Sequence, residues 1–192
     1  MIGGLQMNSI EKFEVFWNII GDMALLNGNG YRVLVDMALY GYCTTQKQFM
    51  ERRKWKQSSV SNTFKRLYDE KILLCKLDGR KIVYTIDEKL FIDNRNEKKS
   101  IVIDMQTFSK VWNVIIEMTE LSANSYRVLI DVLLYGATTQ KELWERRDWK
   151  IAGVSATFNK LHDMNLLVLN EKKGQKIYTA NIEFILNKEK EK

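Results

Sequence analysis

The stretch WKQSSVSNTFKRL, Trp55 to Leu67, mixes small, polar and basic residues with a few apolar ones. Val60, Phe64 and Leu67 are spaced four and three residues apart, the spacing of one helix face. The other side is then left with Gln57, Ser58, Ser61, Asn62 and Lys65. Asn and Gln amides can pair with the edge of adenine, while Ser and Lys can reach other base edges or phosphates. Cations flank this set: Arg52, Arg53, Lys54 and Lys56 before it, Arg66 within it, and Arg80 and Lys81 beyond it. These are the candidates for holding a phosphate backbone while the helix reads bases.

No competing chemistry is visible. A Gly-rich phosphate loop is missing, so nucleotide hydrolysis is not expected. His162 is the sole histidine and the two cysteines, Cys43 and Cys75, lack metal-ligand spacing. The expectation is a protein that is not an enzyme and has no cofactor, with free thiols suited to a reducing cytoplasm.

The same stretch returns as WKIAGVSATFNKL, Trp149 to Leu161. It belongs to a longer duplication. Residues 13–42 align with 108–137, and 44–74 with 138–168, with 31 identities in 61 positions. Such internal similarity reads as two tandem domains. The expected boundaries are 1–93 for the first domain, 94–100 for a polar linker, and 101–192 for the second. In the second copy Ile151, Ala152, Gly153 and Ala156 replace Gln57, Ser58, Ser59 and Asn62. Ser155 and Asn159 are what remains of the base-reading set. Its backbone-holding candidates are Arg146, Arg147, Lys150, Lys160, Lys172, Lys173 and Lys176. Phosphate-holding types survive better than base-reading ones. Either this copy grips DNA with less discrimination, or its small apolar helix face meets a second subunit or another protein.

The elements that must position these residues follow from periodicity. Phe13, Phe16, Trp17, Ile20 and Met23 form an amphipathic stripe, predicting a helix over Ser9–Leu25, with its counterpart over Thr107–Glu120. A nearly apolar second helix spans Tyr31–Tyr40 and Tyr126–Tyr135, ended by Gly41 and Gly136, with Asn29 or Ser122 as possible caps. A third helix starts after Thr45, with Phe49 and Met50 inward. Residues 53–57 turn, and Trp55 plugs the space between helices. The fourth helix runs over Ser59–Lys71. Leu73–Ile86 then reads as two strands around Asp78-Gly79, a strong hairpin signal. In the second copy EKKGQK, Glu171–Lys176, occupies the tip. The expected fold class is mainly α with small β-hairpins, an α+β arrangement of two winged helix-turn-helix domains.

Composition agrees. The chain has 192 residues, 45% of them hydrophobic, and a net charge of +6. Residues 1–99 hold 17 basic and 12 acidic side chains, residues 100–192 hold 13 and 12. An anionic partner should prefer the first half. No apolar run is long enough for a membrane span, and the start does not read as a secretory signal.

The segment TTQKQFMERRKWKQSSVSNTFKRLYDEKILL resembles the helix-turn-helix of winged regulators of the MarR and TrmB type. Thr45, Gln46, Phe49, Val60, Leu67 and Ile72 match that pattern. YTIDEKLFI (Tyr84–Ile92) and YTANIEFI (Tyr178–Ile185) are similar to the end of the initiator domain in plasmid replication proteins, which often carry two winged domains in tandem. The departure is that this chain has no proline, with Asp87-Glu88 or Asn181-Ile182 where that family has Asn-Pro. The resemblance implies a double-stranded DNA-binding protein, a sequence-specific transcriptional regulator first. The alternatives are a plasmid or viral replication or partition factor binding origin repeats, and a protein-interaction module that keeps the fold. In the DNA-binding case both reading helices come from one chain and can meet two unlike half-sites. A bacterial or archaeal host would place the protein at the nucleoid.

Overall fold

The computed structural model describes residues 9–23, 25–91, 101–147 and 151–190. It is a mixed, mostly helical protein with two small antiparallel sheets. By its contacts the chain divides into two compact units, Val15–Asn94 and Arg95–Lys192, the second also taking in the first residues up to Glu14. The expected linker, 94–100, lies outside the described residues.

α1 (Ser9–Ile20), of which Val15 onward belongs to the first unit, ends five residues short of the sequence expectation. Gly21 N–H still makes a helical bond, to Trp17 O at 2.8 Å, and beyond it the chain turns. The carbonyls at this end find a donor in Tyr31, whose hydroxyl lies 3.2 Å from Ile20 O and 3.1 Å from Met23 O. A helix end leaves such carbonyls without intrahelical partners, so this tyrosine does the work of a cap. α2 (Gly28–Leu39) begins earlier than expected. Its cap is Asn27, not Asn29: Asn27 is extended and its Oδ1 accepts Gly30 N–H at 2.9 Å. Asn29 already lies in the first helical turn.

Gly41 (φ 102°) and Tyr42 (φ 65°) turn the chain into β1 (Cys43–Thr44). Thr45 and Gln48 form a reciprocal capping box that starts α3 (Gln46–Arg53). α4 (Gln57–Asp69) follows after three residues. It leads into β2 (Leu73–Asp78) and β3 (Lys81–Ile86), paired in register from Leu73–Ile86 to Asp78–Lys81. Gly79 takes φ 59° at the tip, where a side chain would be strained. β1 adds to β3, giving the order β1-β3-β2. A two-residue strand leaves no periodic signal, which is why β1 was not legible. A 3-10 turn, Glu88–Phe91, closes the unit.

The second unit repeats this order. α5 (Met105–Ile115) is capped by Asp104, and α6 (Ala123–Tyr135) by Ser122, one of the two caps expected. The Tyr126 hydroxyl donates to Met118 O at 2.9 Å, as Tyr31 does in the first copy. α7 (Gln140–Arg147) and α8 (Ile151–Asp163) precede β4 (Leu167–Lys172) and β5 (Gln175–Ala180). Thr138 and Tyr178 exchange backbone hydrogen bonds of 3.0 and 2.8 Å, the counterpart of β1 on β3. α9 (Ile182–Lys190) has no counterpart among the sequence expectations. Its signals were Asn181, whose Oδ1 accepts Phe184 N–H at 3.3 Å, and buried Ile185 three residues after Ile182. α9 packs on α5.

Aromatic side chains build both cores. Trp17, Tyr31, Phe49 and Phe64 are fully buried in the first unit, as are Trp112, Tyr126, Phe158 and Tyr178 in the second. Phe64 stands edge-on to Phe49 and Tyr84, at 5.6 and 4.9 Å between centroids. One ring thus joins α3, α4 and β3, and such pairs add about 0.5–1.5 kcal/mol beyond area burial. The hairpin, marginal by itself, is held by this contact.

Candidate nucleic-acid interface

The position of α4 decides what its outer side can touch. Val60, Phe64 and Leu67 have no solvent exposure and Thr63 has 7%. Gln57, Ser58, Asn62 and Lys65 are exposed on the remaining surface. Two of the other polar residues on α4 are engaged within the protein. Ser61 is half-buried, and its hydroxyl donates to Gln46 Oε1 at 2.9 Å. Gln46 in turn donates through Nε2 to the Tyr84 hydroxyl at 3.1 Å, so α4, α3 and β3 are linked by one polar chain. Arg66 donates to Asn27 Oδ1 at 2.7 Å and lies 3.7 Å from Glu70. It lies against Gly30, where a Cβ would come within 3.0 Å of Arg66 Nη2. Arg66 therefore fastens the end of α4 to the start of α2, a different task from the phosphate contact expected of it.

The paired arginines are the larger correction. Asp36, on α2, has no exposure. It accepts Arg52 Nη2 at 2.8 Å on one oxygen and Arg53 Nε at 2.6 Å on the other, with an ion pair to Arg53 Nη2 besides. The Arg53 side chain is 7% exposed and the Arg52 side chain 28%. Both guanidiniums also stand over the Tyr40 ring, at 5.0 and 5.4 Å. Asp131 repeats the arrangement with Arg147 Nε at 2.7 Å and Arg146 Nε at 3.3 Å. A charge taken out of water needs a close counter-charge, and two arginines around one carboxylate supply it. Arg53 and Arg147 are thus braces between helices, with no surface to offer a phosphate. Arg52 and Arg146 are committed to the same carboxylates. The sequence signal for this was present: a lone Asp in an almost apolar helix, repeated together with the Glu-Arg-Arg triplet that follows it.

Of the cations expected at the interface in the first unit, Lys54, Lys56, Lys65, Arg80 and Lys81 are exposed. Lys54 ends α3 in the left-handed conformation, φ 51°. Lys56 is extended and gives α4 no side-chain cap, so the first-turn N–H groups of α4 are not covered by it. Trp55 between them is half-buried, edge-on to Phe49 at 5.1 Å, with the Arg32 guanidinium 3.9 Å above its ring. Between the start of α3 and the hairpin lies a groove of about 580 Å³, lined by Gln46, Lys47, Glu51, Arg80, Lys81 and Ile82 among others.

In the second unit Asn159, Lys172, Lys173 and Lys176 are exposed and Ser155 is half-buried. Lys160 is exposed too, but its Nζ donates to Glu120 O at 2.7 Å, tying α8 to the loop before α6 as Arg66 ties α4. Lys150 lies outside the described residues. The exposed part of α8 includes Gly153 and Ala156. His162 is exposed, 3.7 Å from Asp163.

Cys43 and Cys75 are free and exposed. Cys43 pairs with Thr85 and Cys75 with Tyr84. Adjacent residues of β3 point to opposite faces, so the two thiols sit on opposite sides of the sheet. Among the described residues no group of three or more His, Cys, Asp or Glu side chains could hold a metal ion. No described helix is long and apolar enough to cross a membrane. Neither a family model nor a curated protein matches the chain.

Proposed function

We propose that the chain binds double-stranded DNA as a sequence-specific transcriptional regulator, each unit being a winged helix-turn-helix domain. In this reading α3 and α4 are the helix-turn-helix of the first unit, α4 enters the major groove, and the β2–β3 hairpin is the wing. The observation that carries it is the exposed side of α4. Gln57, Ser58, Asn62 and Lys65 face solvent together while the opposite side is locked in the core. Side chains with donors and acceptors on a well-anchored helix are what direct readout needs. Lys54 and Lys56 before the helix and Arg80 and Lys81 on the hairpin suit the two flanking backbones.

The second unit lends backbone grip through Lys172, Lys173 and Lys176 and contributes little base discrimination. A second reading applies to this unit alone. Gly153 and Ala156 leave part of α8 small and apolar, which favours contact with a second copy or another protein.

Binding of the full chain to duplex DNA, followed by fluorescence anisotropy over a salt series, tests the proposal. The seven cations assigned to phosphates, Lys54, Lys56, Arg80 and Lys81 with Lys172, Lys173 and Lys176, predict a slope of about −6 in log K against log salt. The double variant Lys54→Glu, Lys56→Glu weakens binding to every sequence. Absence of binding at low salt, or binding indifferent to salt, overturns the reading. Mapping the bound sites separates a regulator, with single operators, from an origin-binding replication or partition factor, with arrays of repeats.

A further inference from the structure

β2 is an open edge. The order β1-β3-β2 puts it at the margin of the sheet, and Leu74 through Asp78 are all exposed. Gly79 and Arg80 form a two-residue turn, so Asp78 and Lys81 make the hydrogen-bonded pair beside it. The alternation then leaves Leu77 and Ile82 as a non-hydrogen-bonded pair, and the backbone N–H and C=O of Leu77 point away from β3. Successive side chains of a strand alternate between the two faces. Leu77 and Ile82 share the face of Tyr84 and Ile86, and Ile82 lines the groove against α3. Lys76, Asp78 and Lys81 lie on the other face. Leu77 is 76% exposed and Ile82 49%. At the same register the second hairpin opposes Glu171 to Lys176, both exposed, so the fold does not require an apolar pair there.

We infer that β2 pairs antiparallel with β2 of a second copy of this chain, with Leu77 opposite its own counterpart on a twofold axis. Charge complementarity selects this occupant and this register. Directly opposed residues share a face, so Lys76 of each copy then stands opposite Asp78 of the other. Every charge on the edge between Leu74 and Asp78 meets its opposite. The two adjacent face-matched registers oppose Lys76 to Lys76 or Asp78 to Asp78, and like charges in that position repel. The second hairpin is not an alternative partner. Paired with itself it sets Glu171 against Glu171, and paired with β2 it sets Lys172 against Lys76. A lysine on an edge strand discourages indiscriminate pairing, and Asp78 of the second copy neutralises Lys76 at this one register. On the other face the two Leu77 side chains meet with an Ile82 on either side, a row of four apolar groups across the joined hairpins. So short an overlap lies at the small end of specific interfaces, below roughly 1,200 Å², and makes a reversible dimer. The inference does not depend on the DNA-binding reading.

The test uses the full chain without DNA, in sedimentation equilibrium over a concentration series. The wild type shows a monomer–dimer equilibrium. Leu77→Glu gives the first hairpin the residue type that the second carries at this register, and it sets two like charges face to face. Dimerisation should weaken about tenfold or more. Leu77→Lys does the same with the opposite sign. Each variant alone stays monomeric, whereas an equimolar mixture of the two associates, because the opposed pair is then an acid and a base. A wild type that is monomeric up to about 1 mM overturns the inference. So does a dimer indifferent to Leu77→Glu, which would use α8 or another surface, and so does a mixture that fails to associate. A second readout fixes the register. In a Cys43→Ser, Cys75→Ser background, Leu77→Cys treated with diamide cross-links to a covalent dimer. Opposed Cα atoms of a hydrogen-bonded pair lie about 5.5 Å apart, within disulfide reach. Preferential cross-linking through Cys75 in the Cys43→Ser chain moves the axis off Leu77 and overturns the inference.

Discussion

Asp36 accepts the Arg53 Nε–H at 2.6 Å from a position with no solvent exposure, seventeen residues away in the chain. Asp131 and Arg147 repeat the contact at 2.7 Å. The bond ties α2 to the end of α3 in the first unit and α6 to the end of α7 in the second. It removes from the surface two arginines that their place beside the turn had marked as phosphate ligands.

Asp36→Asn should destabilise the first unit by about 3–5 kcal/mol, because a buried guanidinium loses its counter-charge. Denaturant unfolding reads this directly. Arg53→Ala should likewise lower stability, with no loss of affinity for DNA when both proteins are compared well below their unfolding midpoints. A selective loss of affinity with stability unchanged would restore Arg53 to the interface.

Asn62→Ala should reduce discrimination between a preferred sequence and a random one by about 1–3 kcal/mol. Affinity for random duplex should hardly move, since no phosphate contact is assigned to this residue. Paired titrations on the two duplexes give the answer. A uniform loss on both would place Asn62 on the backbone.

Gln46→Leu breaks both links of the Ser61–Gln46–Tyr84 chain, 2.9 and 3.1 Å. The stability cost should be about 1–2 kcal/mol, two modest hydrogen bonds partly replaced by water. The reading of bases should suffer as well, because Ser61 no longer sets the seat of α4 against α3. Thermal unfolding and sequence preference, measured on the same variant, check the two halves of this prediction.

Burial raises the Tyr42 phenol from 10.0 to about 12. The folded chain thus holds this proton more tightly than the unfolded chain. Stability from this group is complete below pH 10 and declines as pH rises from 10 toward 12, the unfolded state ionising first. Denaturation midpoints across this range should fall more steeply for the wild type than for Tyr42→Phe.

Much of the fold was legible before any coordinates. Apolar spacing at three and four residues located the helices, and Asp78-Gly79 located the first hairpin. Thr45 and Ser122 announced helix starts. The inward set Val60, Phe64 and Leu67 followed from spacing alone, and with it the exposure of Gln57, Ser58, Asn62 and Lys65. All of these are local properties, decided by neighbours within a few residues. α9 was missed although Asn181, Ile182 and Ile185 carried the same kind of signal.

The fate of the long polar side chains was not local. Arg52 and Arg53 look outward in a one-dimensional reading, as does Arg66, and Ser61 looks free. Packing α2 against α3 brought Asp36 under the two arginines. Packing α4 against the start of α2 gave Arg66 its Asn27, and α3 gave Ser61 its Gln46. A flexible charged side chain goes to whichever buried counter-charge the fold delivers within its reach. By itself the sequence determined the duplication, the order of elements and the inward face of α4, because periodicity and turn chemistry are short-range. Only the tertiary structure decided which cations remain for a partner, because that depends on which helices meet.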